Sequence, residues 1–269
     1  MSDRRAKALV TGASSGIGAS FASVLAEEGY GLVLVARRKE LLAALAADLS
    51  ARFDVETEVL VADLVRKPDL KRVERRLEDS EDISLLVNNA GIGDIAPFAD
   101  QSREMHSRMI ALNVNAVTTL AHAAVQSMRR AGHGVIINVA SALSFEYRAG
   151  ASVYAATKAF VLQLTRALDL ELGSAGLKFQ ALVPGLTRTA LGGADENGFF
   201  DWIPPHRVMS PEAVARASLA GLSLGELVCF PRIEDISKVE QIQNAYRGLG
   251  ASPDDNRVAS RYIGAPTPS

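Results

Sequence analysis

The chain has 269 residues, of which 48% are hydrophobic and 22% are charged, and its formal net charge is −2. This length and composition are typical of one globular α/β domain, which buries about three-quarters of its unfolded surface. The near-neutral charge gives no reason to expect binding to nucleic acid or to an anionic membrane. A single cysteine, Cys229, excludes an intramolecular disulfide, and no Cys/His cluster has metal-ligand spacing, so we expect no metal site.

Two segments bear on targeting and on membrane insertion. No long apolar run follows the charged start Met1–Lys7, so no signal peptide is predicted. The segment from Met109 to Met128 contains no Asp, Glu, Lys or Arg, but asparagine, threonine and histidine side chains interrupt it. We interpret it as a helix buried in protein rather than in lipid, and we expect a soluble, cytoplasmic protein.

Short apolar runs rich in Val, Leu and Ile alternate with helical patterns along most of the chain. The runs are largely continuous, which is typical of strands buried on both faces of a parallel sheet. The predicted strands are Ala6–Thr11, Gly31–Ala36, Glu56–Ala62, Ser84–Val87, Gly134–Val139, Lys178–Val183 and Leu227–Phe230.

The segments between these strands have helical spacing. The alternation of strand and helix predicts an α/β fold, a single-domain, doubly wound Rossmann-type parallel sheet with helices on both faces. We expect residues 1–269 to form one dinucleotide-binding and catalytic domain. Two irregular segments complete this organisation: a substrate lid at about 190–208, rich in Gly and Pro, and a C-terminal tail from about 250.

A glycine-rich segment, Thr11–Gly18, follows the first predicted strand and leads directly into a helix. Glycines let the backbone turn sharply and approach a pyrophosphate, and the helix N-terminus offers unpaired N–H donors. Ligands of doubly wound sheets bind at the carboxyl ends of the strands, so this position favours a dinucleotide. A glycine-rich turn alone is weak evidence, and a tight turn that binds nothing is the alternative.

The second predicted strand ends at Ala36 and is followed by Arg37 and Arg38. Folds that prefer NAD usually place an acidic residue here, which accepts a hydrogen bond from the ribose 2′-hydroxyl. A guanidinium instead gains a charge-assisted contact with a 2′-phosphate. The sequence therefore favours NADP(H) over NAD(H), the alternative being that both arginines merely begin a solvated helix.

The third and fourth predicted strands are also followed by candidate cofactor contacts. Asp63 and Leu64 are placed to touch the adenine. The small residues of Asn88–Gly91 would permit close contact with a ribose, although this tetrapeptide could also be only a structural turn.

Ser141 follows the fifth predicted strand, and Tyr154 and Lys158 come later at i and i+4 spacing, on one face of a helix. A lysine ammonium stabilises a nearby phenolate and brings the tyrosine pKa towards the working range of a general base. Ser141 can donate a hydrogen bond to the same substrate oxygen that receives the tyrosine proton. Such a pair, taken by itself, is usually packing plus a solvated charge.

Taken together, these motifs resemble the short-chain dehydrogenase/reductase family. The matching residues, in the family's order and at its spacing, are Thr-Gly-x-x-x-Gly-x-Gly at Thr11–Gly18, Asn-Asn-Ala-Gly at Asn88–Gly91, Asn113, Ser141, Tyr-x-x-x-Lys at Tyr154–Lys158, and Pro184-Gly185 with Thr189. The resemblance covers about residues 6 to 230, whereas the lid and the tail carry little family signal.

The resemblance implies a role for each catalytic residue. Tyr154 would be the general acid/base, Ser141 would hold the substrate oxygen, and Lys158 would contact the nicotinamide ribose and lower the pKa of Tyr154. Asn113 would hold a helix kink and a water of a proton relay. Together with the candidates above, the resemblance gives the following expected cofactor contacts: Gly12, Ser14, Ser15, Gly16, Ile17, Gly18, Arg37, Arg38, Asp63, Leu64, Asn89, Ala90, Gly91, Tyr154, Lys158, Pro184, Gly185 and Thr189.

We therefore expect an NADP(H)-dependent oxidoreductase that transfers a hydride between nicotinamide and a carbonyl or secondary alcohol, in the direction of reducing a hydrophobic ketone or aldehyde. Two alternatives are an NAD-linked alcohol dehydrogenase and a non-catalytic protein that senses NADP(H). The expected partners are a small-molecule substrate and further copies of the chain, in a homodimer or homotetramer. Apolar residues that would line the pocket, or pack against their own scaffold, are Ala142, Leu143, Phe145, Tyr147, Leu191, Phe199, Phe200, Trp202 and Ile203.

Overall fold

The structure is a computed structural model that describes residues 6–189, 191, 198–250, 258, 261 and 263. The chain divides into two compact units, Met1–Arg232 and Ile233–Ser269. Most of the predicted tail lies outside the described residues, as do residues 190 and 192–197 of the predicted lid. The extent of one domain over the whole chain, with its lid and tail, stays a prediction.

The first unit contains all the strands of the sheet within the described residues. They are β1 (Lys7–Thr11), β2 (Gly31–Ala36), β3 (Thr57–Val61), β4 (Ile83–Asn88), β5 (Gly134–Val139), β6 (Leu177–Leu182) and β7 (Val228–Cys229). Its helices are α1 (Gly16–Glu27), α2 (Lys39–Phe53), α3 (Lys67–Glu78), α4 (Arg103–Ile110), α5 (Val117–Ala131), α6 (Ser152–Leu172) and α7 (Pro211–Ser223). The second unit contains α8 (Ser237–Gly250).

All strands pair in parallel, in the order β3-β2-β1-β4-β5-β6-β7. The order reverses between β1 and β4, where doubly wound sheets open a crevice at their carboxyl edge. The predicted fold class is therefore confirmed, and each predicted strand is present. β7 is shorter than the predicted Leu227–Phe230, and it pairs with β6 through Ala181–Val228 and Leu182–Cys229.

Helices cover both faces of the sheet and bury two separate hydrophobic clusters. On one face, α1, α2 and α7 contribute buried side chains such as Phe21, Leu42 and Val214. On the other face, α3 and α5 contribute side chains such as Leu77 and Met128. Both faces of the central strands are thus buried, which is why their sequences are continuous apolar runs.

The segment from Met109 to Met128 is helical and packs within the protein, as predicted. It includes the end of α4, a π-helical segment at Ala111–Ala116 and most of α5. Met109 and Met128 are both buried. In the part of the chain that the structure describes, none of the helices combines the length and the apolar character that a membrane crossing requires.

Candidate active site

The glycine-rich loop between β1 and α1 is folded tightly on itself. Gly12 and Gly16 have positive φ angles of 68° and 55°, which favour glycine. A Cβ atom added to Gly18 would lie 2.3 Å from the Gly12 carbonyl oxygen. The first turn of α1 therefore packs directly against the loop, and its N-terminus points to the crevice where a pyrophosphate would bind.

Thr11 and Asn89 fasten this loop to the end of β4. The Thr11 hydroxyl donates to the Val87 carbonyl (3.2 Å) and accepts from the backbone N–H groups of Asn89 (2.9 Å) and Ala90 (3.0 Å). The Asn89 side chain in turn donates to the Thr11 carbonyl at 2.9 Å. Asn89 thus joins the glycine-rich loop to the end of β4. The predicted contacts of Asn89, Ala90 and Gly91 with the cofactor stay predictions.

Arg38 brings a positive charge onto the same loop. Its guanidinium donates to the Ser14 hydroxyl, at 3.1 Å from Nε and 2.9 Å from Nη2, and to the Ser15 hydroxyl at 2.6 Å. Arg37 and Arg38 are both exposed after β2. The structure therefore brings together Ser14, Ser15 and Arg38, and the predicted contact of Arg37 and Arg38 with a cofactor phosphate stays a prediction.

Asp63 and Leu64 lie where β3 leads towards α3. The Asp63 backbone N–H donates to Asp69 Oδ2 (3.0 Å), and its carboxylate accepts from the Val65 N–H (3.2 Å). Leu64 is buried. Both residues order this turn, and their contact with an adenine stays a prediction.

Tyr154 and Lys158 lie on α6 and are both buried, with exposed fractions of 7% and 5%. Lys158 Nζ donates to the Val139 carbonyl at 2.7 Å and lies 5.9 Å from the centroid of the Tyr154 ring. Glycines in the loop after β4 make room for them: a Cβ on Gly91 would lie 3.4 Å from Lys158 Nζ, and one on Gly93 would lie 3.1 Å from Tyr154 Cδ2. The loop that would hold the ribose thus packs directly on both catalytic candidates.

Burial is the main cause of the pKa shifts of Tyr154 and Lys158. It raises the pKa of Tyr154 above its ordinary value of 10, and a hydrogen bond with Ser141 acts in the opposite direction. It lowers the pKa of Lys158 to about 8. Burial therefore outweighs the Ser141 hydrogen bond in its effect on the Tyr154 pKa. A lowering by Lys158 when cofactor is bound stays a prediction.

Asn113 lies within the π-helical segment and is completely buried. Its side chain accepts from the Ile92 N–H (3.0 Å) and donates to the Ile92 carbonyl (2.8 Å) and to the Thr157 hydroxyl (3.1 Å). Thr157 donates in turn to the Tyr154 carbonyl at 2.7 Å. The helix is π-helical around Asn113, a form that often occurs at functional sites. That Asn113 holds a helix kink and a water of a proton relay stays a prediction.

Ser141 follows β5, and the loops after β5 and β6 are joined beside it. Its hydroxyl accepts from the Leu143 N–H at 3.2 Å, and the Ala142 N–H donates to the Pro184 carbonyl at 3.0 Å. Thr189 reaches the glycine-rich loop, since a Cβ on Gly16 would lie 3.1 Å from its methyl group. The Pro184–Thr189 segment therefore spans from Ser141 to the candidate phosphate site.

Phe145 and Phe200, two of the predicted pocket residues, have aromatic or cationic partners. The Phe145 ring lies 5.6 Å from the ring of Phe230, which follows β7, and Phe200 is buried with the Arg188 guanidinium 4.9 Å from its ring. Trp202 is 89% exposed, so it does not pack against the scaffold as Phe200 does. Tyr147 is also exposed.

Thr157 and Arg232 are neighbours of the site that reasoning from the sequence missed. Thr157 could have been noticed in the sequence, because it is a hydroxyl residue between Tyr154 and Lys158. Arg232 could not, because its contact with Gly185 depends on the pairing of β7 with β6. Within the described residues there is no group of three or more His, Cys, Asp and Glu side chains that could hold a metal ion. Burial raises the pKa of the Cys229 thiol to about 12, so this group is neutral near pH 7.

Comparison with known proteins places these features in a family. Residues 6–197 match the sequence model of a family described as short chain dehydrogenase. A short-chain dehydrogenase from Sphingobium yanoikuyae, solved in complex with NADPH, is 40% identical with a TM-score of 0.89, over 96% of this chain and 100% of that one. The bulky-bulky ketone specific alcohol dehydrogenase from Comamonas testosteroni is 36% identical with a TM-score of 0.88, over 97% and 99%. An uncharacterized oxidoreductase of Staphylococcus saprophyticus is 32% identical, over 80% of this chain and 90% of its own length.

Proposed function

Because the chain belongs to the short-chain dehydrogenase/reductase family, we propose that it uses NADP(H) to reduce a hydrophobic ketone or aldehyde. Membership makes it an oxidoreductase that acts on CH–OH or C=O groups with a nicotinamide cofactor. The observation that carries the proposed activity is the burial of Tyr154 and Lys158 side by side on α6, next to Ser141.

The residues of the crevice fit a dinucleotide. The tight packing of Gly18 against Gly12 holds the start of α1 against the glycine-rich loop. The N–H groups of the first turn of α1 would then serve as donors to a pyrophosphate. Arg38, supported by Ser14 and Ser15, would hold a 2′-phosphate. This is the support for a preference for NADP(H), and the relative from Sphingobium yanoikuyae solved with NADPH agrees with it.

When bound, the nicotinamide supplies or accepts the hydride. In the direction of reduction, the Tyr154 hydroxyl donates a proton to the substrate oxygen, and Ser141 donates a hydrogen bond to the same oxygen as negative charge develops there. The phenolate left on Tyr154 is stabilised by the Lys158 ammonium in a buried, low-dielectric site. Oxidation of an alcohol uses the same groups with the opposite proton transfer.

The apolar character of the loops after β5 and β7 supports a hydrophobic substrate. Phe145 and Phe230 form an aromatic pair next to the segment that begins with Ser141. The similar enzyme from Comamonas testosteroni is described as specific for bulky-bulky ketones, which agrees with such a substrate. Reduction is the expected direction because cellular NADP(H) pools are generally kept reduced.

The test compares cofactor binding with turnover. NADPH and NADH are titrated separately into the protein while nicotinamide fluorescence is followed, and a panel of aryl and alkyl ketones and aldehydes is then added. The proposal expects tighter binding of NADPH than of NADH, together with turnover of at least one carbonyl compound. Tight binding without turnover of any panel member would favour the sensor, and tighter binding of NADH would favour the NAD-linked dehydrogenase.

We also propose that the chain forms a homodimer or homotetramer through α4 and α6. A shallow apolar groove is lined by Phe98, Ile110, Val114, Val153 and Ala156, and Phe98 and Ile110 are 60% and 45% exposed. Apolar surface of this kind on adjoining helices is typical of an interface. Light scattering after size exclusion measures the mass, and Ile110→Glu should shift it to that of a monomer; a monomeric wild type would contradict the proposal.

A further inference from the structure

Arg232 lies three residues after β7, at the edge of the sheet that carries the catalytic side chains. β6 and β7 are parallel, and the Val183 N–H donates to the Cys229 carbonyl at 2.8 Å, so the chain leaves both strands side by side. The Ala142 N–H is bonded to the Pro184 carbonyl on the other side of the same segment. The loops that carry Ser141, Gly185 and Arg232 are therefore consecutive neighbours.

The Arg232 side chain occupies the space that Gly185 leaves open. A Cβ added to Gly185 would lie 2.3 Å from Arg232 Cδ and 3.2 Å from its Nη1. Gly185 is not among the glycines with positive φ, so the backbone conformation does not itself call for glycine there. The close approach of Arg232 is what favours glycine at this position, because any larger residue at 185 would force the Arg232 side chain to move.

The loops that carry Arg232 and Ser141 also carry an aromatic pair. Phe230, two residues before Arg232, lies against Phe145 with the ring centroids 5.6 Å apart. Phe145 belongs to the loop that begins at Ser141. A ligand that reaches the Ser141 hydroxyl from solvent would thus meet aromatic surface and a guanidinium in the same region.

Arg232 is exposed, and none of the described carboxylates in its own unit forms an ion pair with it. Other arginines of this unit are engaged: Arg76 binds Glu58 and Asp82, and Arg216 binds Glu27 and Glu212. A guanidinium offers a planar set of donors that matches a carboxylate in a bidentate contact. Arg232 therefore combines an exposed guanidinium with a position against Gly185, in the loop after the strand next to the one that precedes Ser141.

From this placement we infer that Arg232 recognises an anionic group on the substrate, so that the preferred substrate combines a hydrophobic ketone or aldehyde with a carboxylate. The inference rests on the proposed function and makes its substrate class more specific. Hydride and proton transfer at the carbonyl are unchanged by it, and the anion remains bound as a spectator. The phosphates of the cofactor are the other possible source of an anion, and the experiment separates the two.

The experiment compares 4-oxo-4-phenylbutanoate with its methyl ester, which lacks the negative charge and carries one additional methyl group. The ratio of kcat/KM for the acid to that for the ester is measured with NADPH for the wild type, Arg232→Gln and Arg232→Lys. Arg129→Gln, which removes an exposed charge near the C-terminus of α5, is the matched control. We expect the wild type to prefer the acid, and Arg232→Gln to lose about tenfold of that preference through KM, the size of one modest ionic contact. Arg232→Lys should keep part of the preference, and Arg129→Gln should behave as the wild type.

Equal ratios in the wild type and Arg232→Gln would overturn the inference while leaving the proposed function intact. A fall in NADPH affinity of Arg232→Gln by the same factor, measured by nicotinamide fluorescence, would also overturn it, because the anion would then belong to the cofactor. If the wild type reduces neither compound, the proposed function fails for this class. Calorimetric binding of the acid to the wild type and to Arg232→Gln then decides the role of Arg232, since weaker binding by the variant supports it and equal binding overturns it.

Discussion

The Asn113 side chain donates a hydrogen bond of 3.1 Å to the Thr157 hydroxyl, and so joins the π-helical segment after α4 to the helix that carries Tyr154. The same hydroxyl donates to the Tyr154 carbonyl at 2.7 Å. One buried side chain therefore connects the proposed proton relay to the backbone of the proposed acid.

Replacing Thr157 by valine keeps the shape of the side chain but removes both of these hydrogen bonds. We expect the free energy of unfolding to fall by about 1–3 kcal/mol, because a buried donor, the Asn113 amide, and a buried acceptor, the Tyr154 carbonyl, each lose a partner. The pH at which kcat is half-maximal should move as well, since Asn113 and Tyr154 lose their common support. Urea unfolding and a pH–rate profile measure the two effects. Thr157→Ser, which keeps the hydroxyl, is the control. Equal stability and equal pH–rate profiles of the valine and serine variants would contradict the role assigned to the Thr157 hydroxyl.

Replacing Tyr154 by phenylalanine removes the hydroxyl that would protonate the substrate oxygen. We expect kcat to fall by about 10²–10⁴-fold, the usual contribution of a general acid. NADPH binding, followed by fluorescence, should be retained. Activity close to that of the wild type would show that the proton comes from another group.

The low pKa of Lys158, about 8, has a consequence for stability. The folded chain loses this proton near pH 8, whereas a lysine in the unfolded chain keeps it up to its ordinary pKa of 10.5. The unfolded state therefore binds more protons between these values, and the free energy of unfolding should rise with pH there. Below pH 8 both states are protonated and this contribution is constant.

Urea unfolding without cofactor, from about pH 7 to 9.5, measures this dependence; the range stops short of the tyrosine titration. Lys158→Met is the matched variant, because methionine fills similar space and does not titrate. The free energy of unfolding of the wild type, relative to that of Lys158→Met, should increase as the pH rises. A constant difference across the range would mean that the Lys158 pKa is not lowered.

Arg38 should govern the choice between the two nicotinamide cofactors. Arg38→Gln removes the charge that Ser14 and Ser15 hold beside the glycine-rich loop, so the affinity for NADPH should fall by about tenfold or more while that for NADH is unchanged. Arg37→Gln removes the same charge one residue away and should have the smaller effect. Fluorescence titrations give the ratio of the dissociation constants for NADPH and NADH, and an unchanged ratio in Arg38→Gln would contradict the assignment.

Ala36→Asp should shift the cofactor preference of the wild type towards NADH.

Gly18 should tolerate no side chain. In Gly18→Ala the new methyl group would lie 2.3 Å from the Gly12 carbonyl oxygen and 2.5 Å from Asn89 Nδ2, so we expect a loss of about 1–3 kcal/mol of stability even without cofactor. Gly248→Ala in α8 is the control, since nothing lies within 4 Å of the added atom and alanine favours a helix. Thermal unfolding compares them. Equal stability of Gly18→Ala and the wild type would mean that the loop can open without cost.

Much of the fold and of the candidate site could be predicted from the sequence, because in a doubly wound fold the site residues lie near the carboxyl ends of the strands. β2 and β5 have the predicted bounds, since continuous apolar runs end abruptly where the chain leaves the sheet. The glycine-rich loop, Asn89–Gly91 and Ser141 follow the ends of β1, β4 and β5, and the packing of α6 brings Tyr154 and Lys158 beside the loop after β4. A parallel sheet gathers such residues whatever the details of packing.

The contacts that could not be predicted join residues far apart in the chain. Asn113 and Thr157 are 44 positions apart, and Arg232 meets Gly185 only because β7 pairs with β6. No local pattern encodes either contact, since both depend on how whole helices and strands pack. The raised pKa of Tyr154 has a similar origin, because it comes from burial, to which the distant loop at Gly93 contributes.

The position of β1 in the middle of the sheet also affects how the protein is made. β1 pairs with β2 on one side but with β4 on the other, and the hydrogen bond from the Asn89 N–H to the Thr11 hydroxyl spans 78 positions. While the ribosome has produced only the first three strands, one edge of β1 has unpaired backbone N–H and C=O groups, and the glycine-rich loop has no support from Asn89. A nascent chain at that stage presents an open strand edge prone to association, and nucleotide binding can begin only after β4 has emerged and docked.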